Sequence, residues 1–283
     1  MVDTFRARDL QDALQIRSDH HAVPLAGGTD LMVKYRSWPG TLPSFPWPVM
    51  FINHLPELRL LQVKQDGIHI GAGVTLTETE CSNDVPEILR SAVNQMASPA
   101  VRNLGTLGGN VCNASPAGDA VCVLYALDAE VVLTSLRGSR TLSIMEFITG
   151  PGRTDLKEDE LLTDIIIPDL SYNITTYRKI GTRKANALSK ISFCAAAKTK
   201  LGRIDDIRVA FGAVGPTVVR SYETERTVIG MNASDLTQRL SDLRADYDAM
   251  IQPIDDQRST AVYRKQVSLN LLDQYLQKLL KEM

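Results

Sequence analysis

The sequence contains no C-x-x-C pair, and its four cysteines, Cys81, Cys112, Cys122 and Cys194, are spaced for neither a zinc ribbon nor a ferredoxin loop. No metal or iron–sulfur ligand set is therefore expected in this chain, and the cysteines read as reduced, small and mostly buried. His20, His21, His54 and His69 also lack ligand spacing. Apolar runs such as "VCVLYAL" are too short to cross a bilayer, and the opening "MVDTFRARDLQDALQIRS" has no basic segment leading into an apolar one. Both absences argue against a transmembrane segment or a signal peptide and for a cytoplasmic chain. Neither sign of charge is in excess: 31 basic and 33 acidic residues leave a net charge of -2, which gives nucleic acid or an anionic membrane no electrostatic footing. There is no G-x-x-x-x-G-K-[ST], and "GAGVTL", residues 71–76, has Leu76 where a nicotinamide fingerprint needs its third glycine. No Ser/His/Asp order or isolated carboxylate pair suggests a hydrolase, so no catalytic residue is assigned.

With 283 residues the chain is long enough for two or three lobes, each with its own core. Leu10, Ala13 and Leu14 recur at helical spacing and lead into the strand-like "AVPLA". Residues 37–48, "SWPGTLPSFPWP", carry four prolines and read as a surface connection. In "LRLLQVKQDGIHIGA" apolar runs flank Asp66-Gly67, a hairpin signal with that pair at the reversal. Residues 86–96 begin a helix with Pro86 in its first turn and Asn83 or Asp84 as cap. A second hairpin turns at "LRG", and "ELLTDIIIP" is a strand stopped by Pro168. Residues 172–215 hold three strands, and the chain is helical from residue 219, with Val262, Leu269, Leu272, Leu276 and Leu279 or Leu280 on one face of the last helix. The change from mixed elements to strands followed by helices places a boundary near residue 170.

Two glycine-rich stretches stand out against this background. "LAGGTDL", residues 25–31, follows the strand "AVPLA"; "NLGTLGGNVCNASPAGDA", residues 103–120, follows a helix. Adjacent glycines allow a tight turn or a close approach to backbone. In the second stretch Gly105, Gly108 and Gly109 offer backbone N–H groups, Thr106, Asn110 and Ser115 side-chain donors, and Asp119 an acceptor. Amides in such a nest bind phosphate oxygens without a lysine, so the pair suits either the two phosphates of a dinucleotide or a purely structural pair of turns.

Taken together, "AGGTDL" and "RNLGTLGGNVCNASPAGDA" resemble the paired FAD-binding signature of the flavoprotein subunits of molybdenum hydroxylases, the xanthine dehydrogenase and carbon monoxide dehydrogenase medium-subunit family. "IHIGAGVTLTE", "GPGRTDLKEDELLTDIIIP", "YRKIGTRKANALSKIS", "VAFGAVGPTVVR" and "YRKQVSLNLL" extend the similarity, in order, over nearly the whole chain. The resemblance implies an α+β fold. Residues 1–170 would form an FAD-binding region of the vanillyl-oxidase/MurB type, with subdomains of about 1–54 and 55–170. Residues 171–283 would form a C-terminal domain with a three-stranded antiparallel sheet and a helical bundle. Carried over by position, Leu25, Ala26, Gly27, Gly28, Thr29 and Asp30 would cradle the FAD pyrophosphate, with Thr106, Gly109 and Asn110 completing the site. Ala97 and Val101 would pack along the cofactor, Asp119 would hydrogen-bond it, Leu162 would lie beside the isoalloxazine, and Lys179 would stand near that ring. From the residues alone, Asp119 has the alternative reading of an acid in the first turn of a helix.

The same resemblance implies partners: a large subunit with a molybdenum-pterin cofactor and a small one with two [2Fe-2S] clusters, in a heterotrimer or its dimer. This chain would then pass electrons through FAD to NAD, dioxygen or another acceptor. The alternatives are a stand-alone flavin oxidoreductase on the same FAD fold and a non-enzymatic assembly subunit.

Overall fold

The computed structural model describes residues 2–168, 171–184 and 186–283. The expected boundary at residue 170 falls outside them. In chain order, strand β1 (Thr4–Arg6) precedes helix α1 (Leu10–His20), which is capped by Asp9 accepting from the Asp12 N–H at 2.8 Å. Then come β2 (Val23–Leu25), the one-turn α2 (Leu31–Lys34), β3 (Val49–Phe51), β4 (Leu61–Lys64) and β5 (Gly67–Gly71). Helix α3 (Leu76–Cys81) opens on a Thr75/Glu78 capping box and is followed by α4 (Glu87–Asn94), α5 (Pro99–Arg102), α6 (Leu107–Cys112) and α7 (Asp119–Ala126). Next are β6 (Glu130–Ser135), β7 (Gly138–Ser143), α8 (Ile144–Phe147), β8 (Ile148–Gly150), β9 (Arg153–Thr154) and β10 (Leu161–Ile167). The chain ends with β11 (Ile174–Gly181), β12 (Ser189–Lys200), β13 (Arg203–Gly212), α9 (Tyr222–Arg226), α10 (Ala233–Met250) and α11 (Ala261–Glu282).

These elements fall into two compact units, neither continuous in sequence: Met1–Val85 with Ala97–Ala114 and Asp128–Pro168, and Pro86–Met96 with Ser115–Leu127 and Asp169–Met283. The first holds a parallel sheet ordered β1-β3-β2 and an antiparallel sheet ordered β4-β5-β10-β6-β7. β10 is central in the larger sheet, and six of its seven residues are buried, as its apolar run "LLTDIII" requires. One core joins Ala13 and Leu14 of α1 and Met50 of β3 to Leu55, Leu58 and Leu161.

The second unit is built on the antiparallel sheet β11-β12-β13. Its middle strand β12 is buried from Ile191 through Ala197 on both faces, because α7 packs on it and α11 packs on it as well. All eight residues of α7 are buried, which is what a helix apolar on every side demands. This is why the segments carrying α4 and α7 join the later part of the chain: α7 contacts β12 and β13, and α4 contacts α7 and β11. Phe193, Phe211, Tyr247 and Tyr275 form the aromatic centre, with Phe193 and Phe211 ring centroids 5.1 Å apart.

Several local expectations change. The first hairpin reverses at Gln65-Asp66, not Asp66-Gly67: Lys64 pairs with Gly67, whose φ of 139° places it at the start of β5. Pro86 is itself the N-cap of α4, without a side-chain cap bond. Val262 is 81% exposed, because it lies in the first turn of α11 beyond the sheet-facing stripe, whereas Leu269, Leu272, Leu276 and Leu279 are buried. Of the cysteines, which are all free, Cys122 and Cys194 are buried and Cys81 is exposed.

Candidate functional site

The first glycine stretch leaves β2 at the buried Leu25 and runs to Asp30, the residue before α2. Gly28 takes a left-handed φ of 67°, a conformation open to glycine without steric cost. Among the described residues, none of the backbone N–H groups of Gly27, Gly28, Thr29 and Asp30 donates to a protein acceptor. These four positions are half-buried or exposed, and their amides are unspent.

The second stretch is organised differently. Most of it is helical: Thr106 caps α6 by accepting from the Gly109 N–H at 3.0 Å, and Gly108 and Gly109 lie in that helix's first turn. The expected row of free amides is absent. Gly105 N–H donates to the Val101 carbonyl at 2.7 Å, and Gly108 N–H donates to the Ala72 carbonyl at 3.2 Å. Two glycines, one from each stretch, serve packing. A Cβ on Gly108 would stand 2.6 Å from the Ala72 Cβ. Gly27, in the first stretch, would put a Cβ onto the Leu104 carbonyl oxygen and 2.9 Å from the Gly105 Cα. The two stretches thus touch backbone to backbone, and glycine at 27 is what permits it.

Gly109 is the exception. It is exposed, and a Cβ there would meet only the Thr106 Oγ1, at 3.0 Å. Beside it the Asn110 Oδ1 is buried without a hydrogen-bond partner. Thr29 approaches the same region, its Oγ1 being 3.2 Å from where a Gly105 Cβ would sit. Unspent amides, an open glycine and an orphaned carboxamide oxygen are what a ligand carrying phosphate oxygens together with hydroxyl or amino donors would satisfy, and the dinucleotide FAD carries both.

The remaining expected residues of this unit lie on its framework. Leu162 is buried in β10, on which α6 packs. Val101, on α5, is partly exposed, and Ala97 adopts φ 45°, an uncommon conformation for a residue with a side chain.

Asp119 and Lys179 belong to the second unit, where they form one cluster. Asp119 sits in the first turn of α7 and Lys179 on β11. The Lys179 Nζ donates to Asp119 Oδ2 at 2.7 Å and to the Gln95 carbonyl, at the C-terminal end of α4, at 2.9 Å. Both side chains are more than nine-tenths buried. Tyr177 Oη donates to Asp119 Oδ1 at 3.1 Å and Ser189 Oγ to the same atom at 2.5 Å. Burial, reinforced by the Asp119 charge, holds the Tyr177 hydroxyl well above its ordinary pKa, so it remains a donor. The sequence reading missed Tyr177, Ser189 and Gln95. One signal was available: Tyr177 and Lys179 are two apart on a strand and so share a face, opposite the exposed Arg178.

Comparison with known proteins decides the family. Residues 1–170 match the model of the FAD binding domain in molybdopterin dehydrogenase, and residues 176–279 that of the CO dehydrogenase flavoprotein C-terminal domain. The chain belongs to the flavoprotein subunits of the molybdenum-hydroxylase family. It is 35% identical over 269 residues to the glyceraldehyde dehydrogenase medium chain of Sulfolobus acidocaldarius, covering 93% of this chain and 92% of that one. It is 34% identical over 244 residues to the nicotinate dehydrogenase FAD-subunit of Eubacterium barkeri, covering 80% and 79%. The fold is that of a chain in the reconstituted CO dehydrogenase from Oligotropha carboxidovorans, with a TM-score of 0.89 at 22% identity, over 100% of this chain and 99% of that one. This flavoprotein is accordingly an oxidoreductase subunit with an FAD-binding domain. Among the described residues no group of His, Cys, Asp or Glu is arranged to hold a metal, and no helix is long and apolar enough to cross a membrane.

Proposed function

We propose that this chain is the electron-transfer subunit of a multi-subunit molybdenum hydroxylase. It receives electrons from [2Fe-2S] clusters on a small partner subunit and delivers them to an external acceptor such as NAD or dioxygen. Substrate is hydroxylated on the molybdenum-pterin cofactor of a large partner, in a heterotrimer or a dimer of heterotrimers. In this reading residues 1–170 hold the cofactor and residues 171–283 complete the subunit. Bound FAD supplies a redox centre that accepts electrons and gives them up in pairs, while the protein supplies position and electrostatics. The amides of Gly27, Gly28, Thr29 and Asp30 hold the diphosphate, with Leu25 and Ala26 shaping the approach. Gly109 leaves room, Thr106 fixes the turn that presents it, and Asn110 offers its carboxamide. Ala97, Val101 and Leu162 give apolar surface, and Asp119 and Lys179 serve the flavin.

The observation that carries this reading is the run of four unspent amides at residues 27–30, taken with the open Gly109. Gly109→Val fills that opening, its Cβ meeting only the Thr106 Oγ1, at 3.0 Å. The purified variant is expected to keep its fold by circular dichroism and to lose most of its FAD, read from the flavin absorbance per chain. Stoichiometric FAD at unchanged affinity would refute the assignment. The absence of molybdenum and iron–sulfur ligand patterns supports a second expectation, that the isolated chain does not hydroxylate organic substrates. Turnover of such a substrate by this polypeptide alone, with no molybdenum present, would remove it from the electron-transfer role.

A further inference from the structure

The proline-rich connection from α2 to β3, residues 35–48, carries none of the residues assigned to FAD, yet it is built rather than loose. The Ser44 N–H donates to the Tyr35 carbonyl at 2.7 Å and closes the loop at its base. There the Tyr35 ring packs against Phe45 and, edge-on with centroids 4.9 Å apart, against Trp47. At the tip the Thr41 N–H donates to the Trp38 carbonyl at 3.1 Å, and the Thr41 Oγ1 donates to the same carbonyl at 2.7 Å. Pro39 and Gly40 fill the two central positions of that turn, and Gly40 has φ 85°, as the third residue of a type II turn requires. The side chains flanking the turn are not tucked in: Trp38 is 73% exposed and Leu42 89%. A turn fixed by a proline, a glycine and two hydrogen bonds thus holds an indole and an isobutyl group out in water.

Scattered exposed apolar side chains are ordinary, but two flanking one rigid turn are not scattered. The surrounding charge is one-sided. From residue 31 to residue 56 the sequence has Lys34 and Arg36 and no aspartate or glutamate, although the chain as a whole is slightly acidic. Lys34 is turned to the Tyr35 ring, 5.7 Å from its centre, and Arg36 is exposed. Both tryptophans of the chain lie in the same stretch. Aromatic residues and arginine without acids match the centre of a protein interface, and an anchor held in place before contact loses little conformational entropy on binding. An anionic membrane is a poorer match, since its recognition draws on clusters of about four to eight Lys or Arg. The same loop of a second copy would bring cation to cation, with no acid of its own to meet either.

We propose that the turn at Trp38–Leu42 is the docking point for a different protein subunit, one whose surface offers an apolar pocket for the Trp38 and Leu42 side chains, edged by carboxylates for Arg36. The inference rests on the reading that this chain works within a multi-subunit enzyme. The tip can be altered without touching any residue assigned to the cofactor, so docking and FAD binding are separable.

The test titrates the FAD-loaded full chain against its separately purified iron–sulfur and molybdenum-pterin subunits at fixed salt, with the mass of the complex read alongside. Trp38→Ser combined with Leu42→Ser is expected to weaken association at least about tenfold, as loss of a central aromatic anchor does. FAD content, circular dichroism and thermal unfolding of the isolated chain should stay at parental values. Trp38→Phe keeps an aromatic ring and should recover part of the affinity. Arg36→Glu should slow association, an effect that added salt diminishes. Parental affinity in the double variant would overturn the docking role and leave the multi-subunit reading standing. A parental chain that forms no complex with either subunit would overturn both. Should the double variant lose its fold, Arg36→Glu carries the decision, and parental affinity there is the overturning result. Two further measurements on the same proteins address other occupants: co-sedimentation with phosphatidylglycerol vesicles and concentration-dependent dimerisation of the isolated chain. Either one, present in the parent and lost in the double variant while subunit affinity is unchanged, would replace the partner subunit with a membrane or a second copy.

Discussion

The two glycine stretches look alike as sequence and do opposite things with their backbone. At residues 27–30 the amides are left unpaired and Gly28 is turned left-handed, so the stretch presents its backbone. At residues 103–110 the glycine amides are consumed by Val101, Ala72 and Thr106, and the glycines serve to bring chains together or to leave a gap. A glycine can be required because the chain needs its torsions, because another backbone is too near for a Cβ, or because a ligand needs the room. Gly28 is an example of the first and Gly27 of the second, and Gly109 is the proposed example of the third.

Single substitutions separate these three causes, beginning with the largest effect. Gly27→Ala forces a Cβ into the Leu104 carbonyl, a backbone atom that no rotamer change can move aside. It is expected to cost about 3 kcal/mol, the upper part of the usual range for overpacking, and to lose FAD as well. Denaturant unfolding of the first unit checks it, and a loss under about 0.5 kcal/mol would mean that the stretches are not held by backbone contact. Gly28→Ala meets side chains only, the Met32 Cγ at 3.2 Å, so its cost is that of the left-handed conformation, about 1–2 kcal/mol. Gly28→Asn should recover part of that loss, since asparagine tolerates these torsions. A Gly28→Asn protein as unstable as Gly28→Ala would point to crowding instead.

Thr106→Ala removes the acceptor of the Gly109 N–H and should destabilise α6 by about 1 kcal/mol, with Thr106→Ser close to the parent. It also turns the second stretch into something nearer the first, by freeing one amide. Equal stability of Thr106→Ala and parent would show the cap to be unimportant. Gly109→Ala is the smallest change. With only Thr106 Oγ1 at 3.0 Å, a methyl group is expected to alter stability by less than about 0.5 kcal/mol. Any effect of Gly109→Ala should fall on FAD affinity, and unfolding measured with and without FAD distinguishes the two. A large loss of stability without FAD would reclassify Gly109 with Gly27 and Gly108.

The sequence by itself determined a good deal. Strand and helix identities followed from local rules wherever one face alone is buried, as in the buried stripe at Leu269, Leu272, Leu276 and Leu279. The order of motifs indicated the family, since a series of short matches in fixed order is far more specific than any one glycine pair. The tertiary structure alone decided that the Gly108 amide finds its acceptor at Ala72, a bond between distant parts of the chain that no local pattern records. It also decided that α4 and α7 pack with the later half of the chain, since an apolar helix shows that it must be buried but not against what. Lys179 is the sharpest case. In sequence it is one of several neighbouring cations, and only pairing across β11, β12, α4 and α7 makes it a buried charge with a single carboxylate as its counter-ion. Charge burial is a property of three-dimensional surroundings, and a one-dimensional pattern carries the cation without its partners.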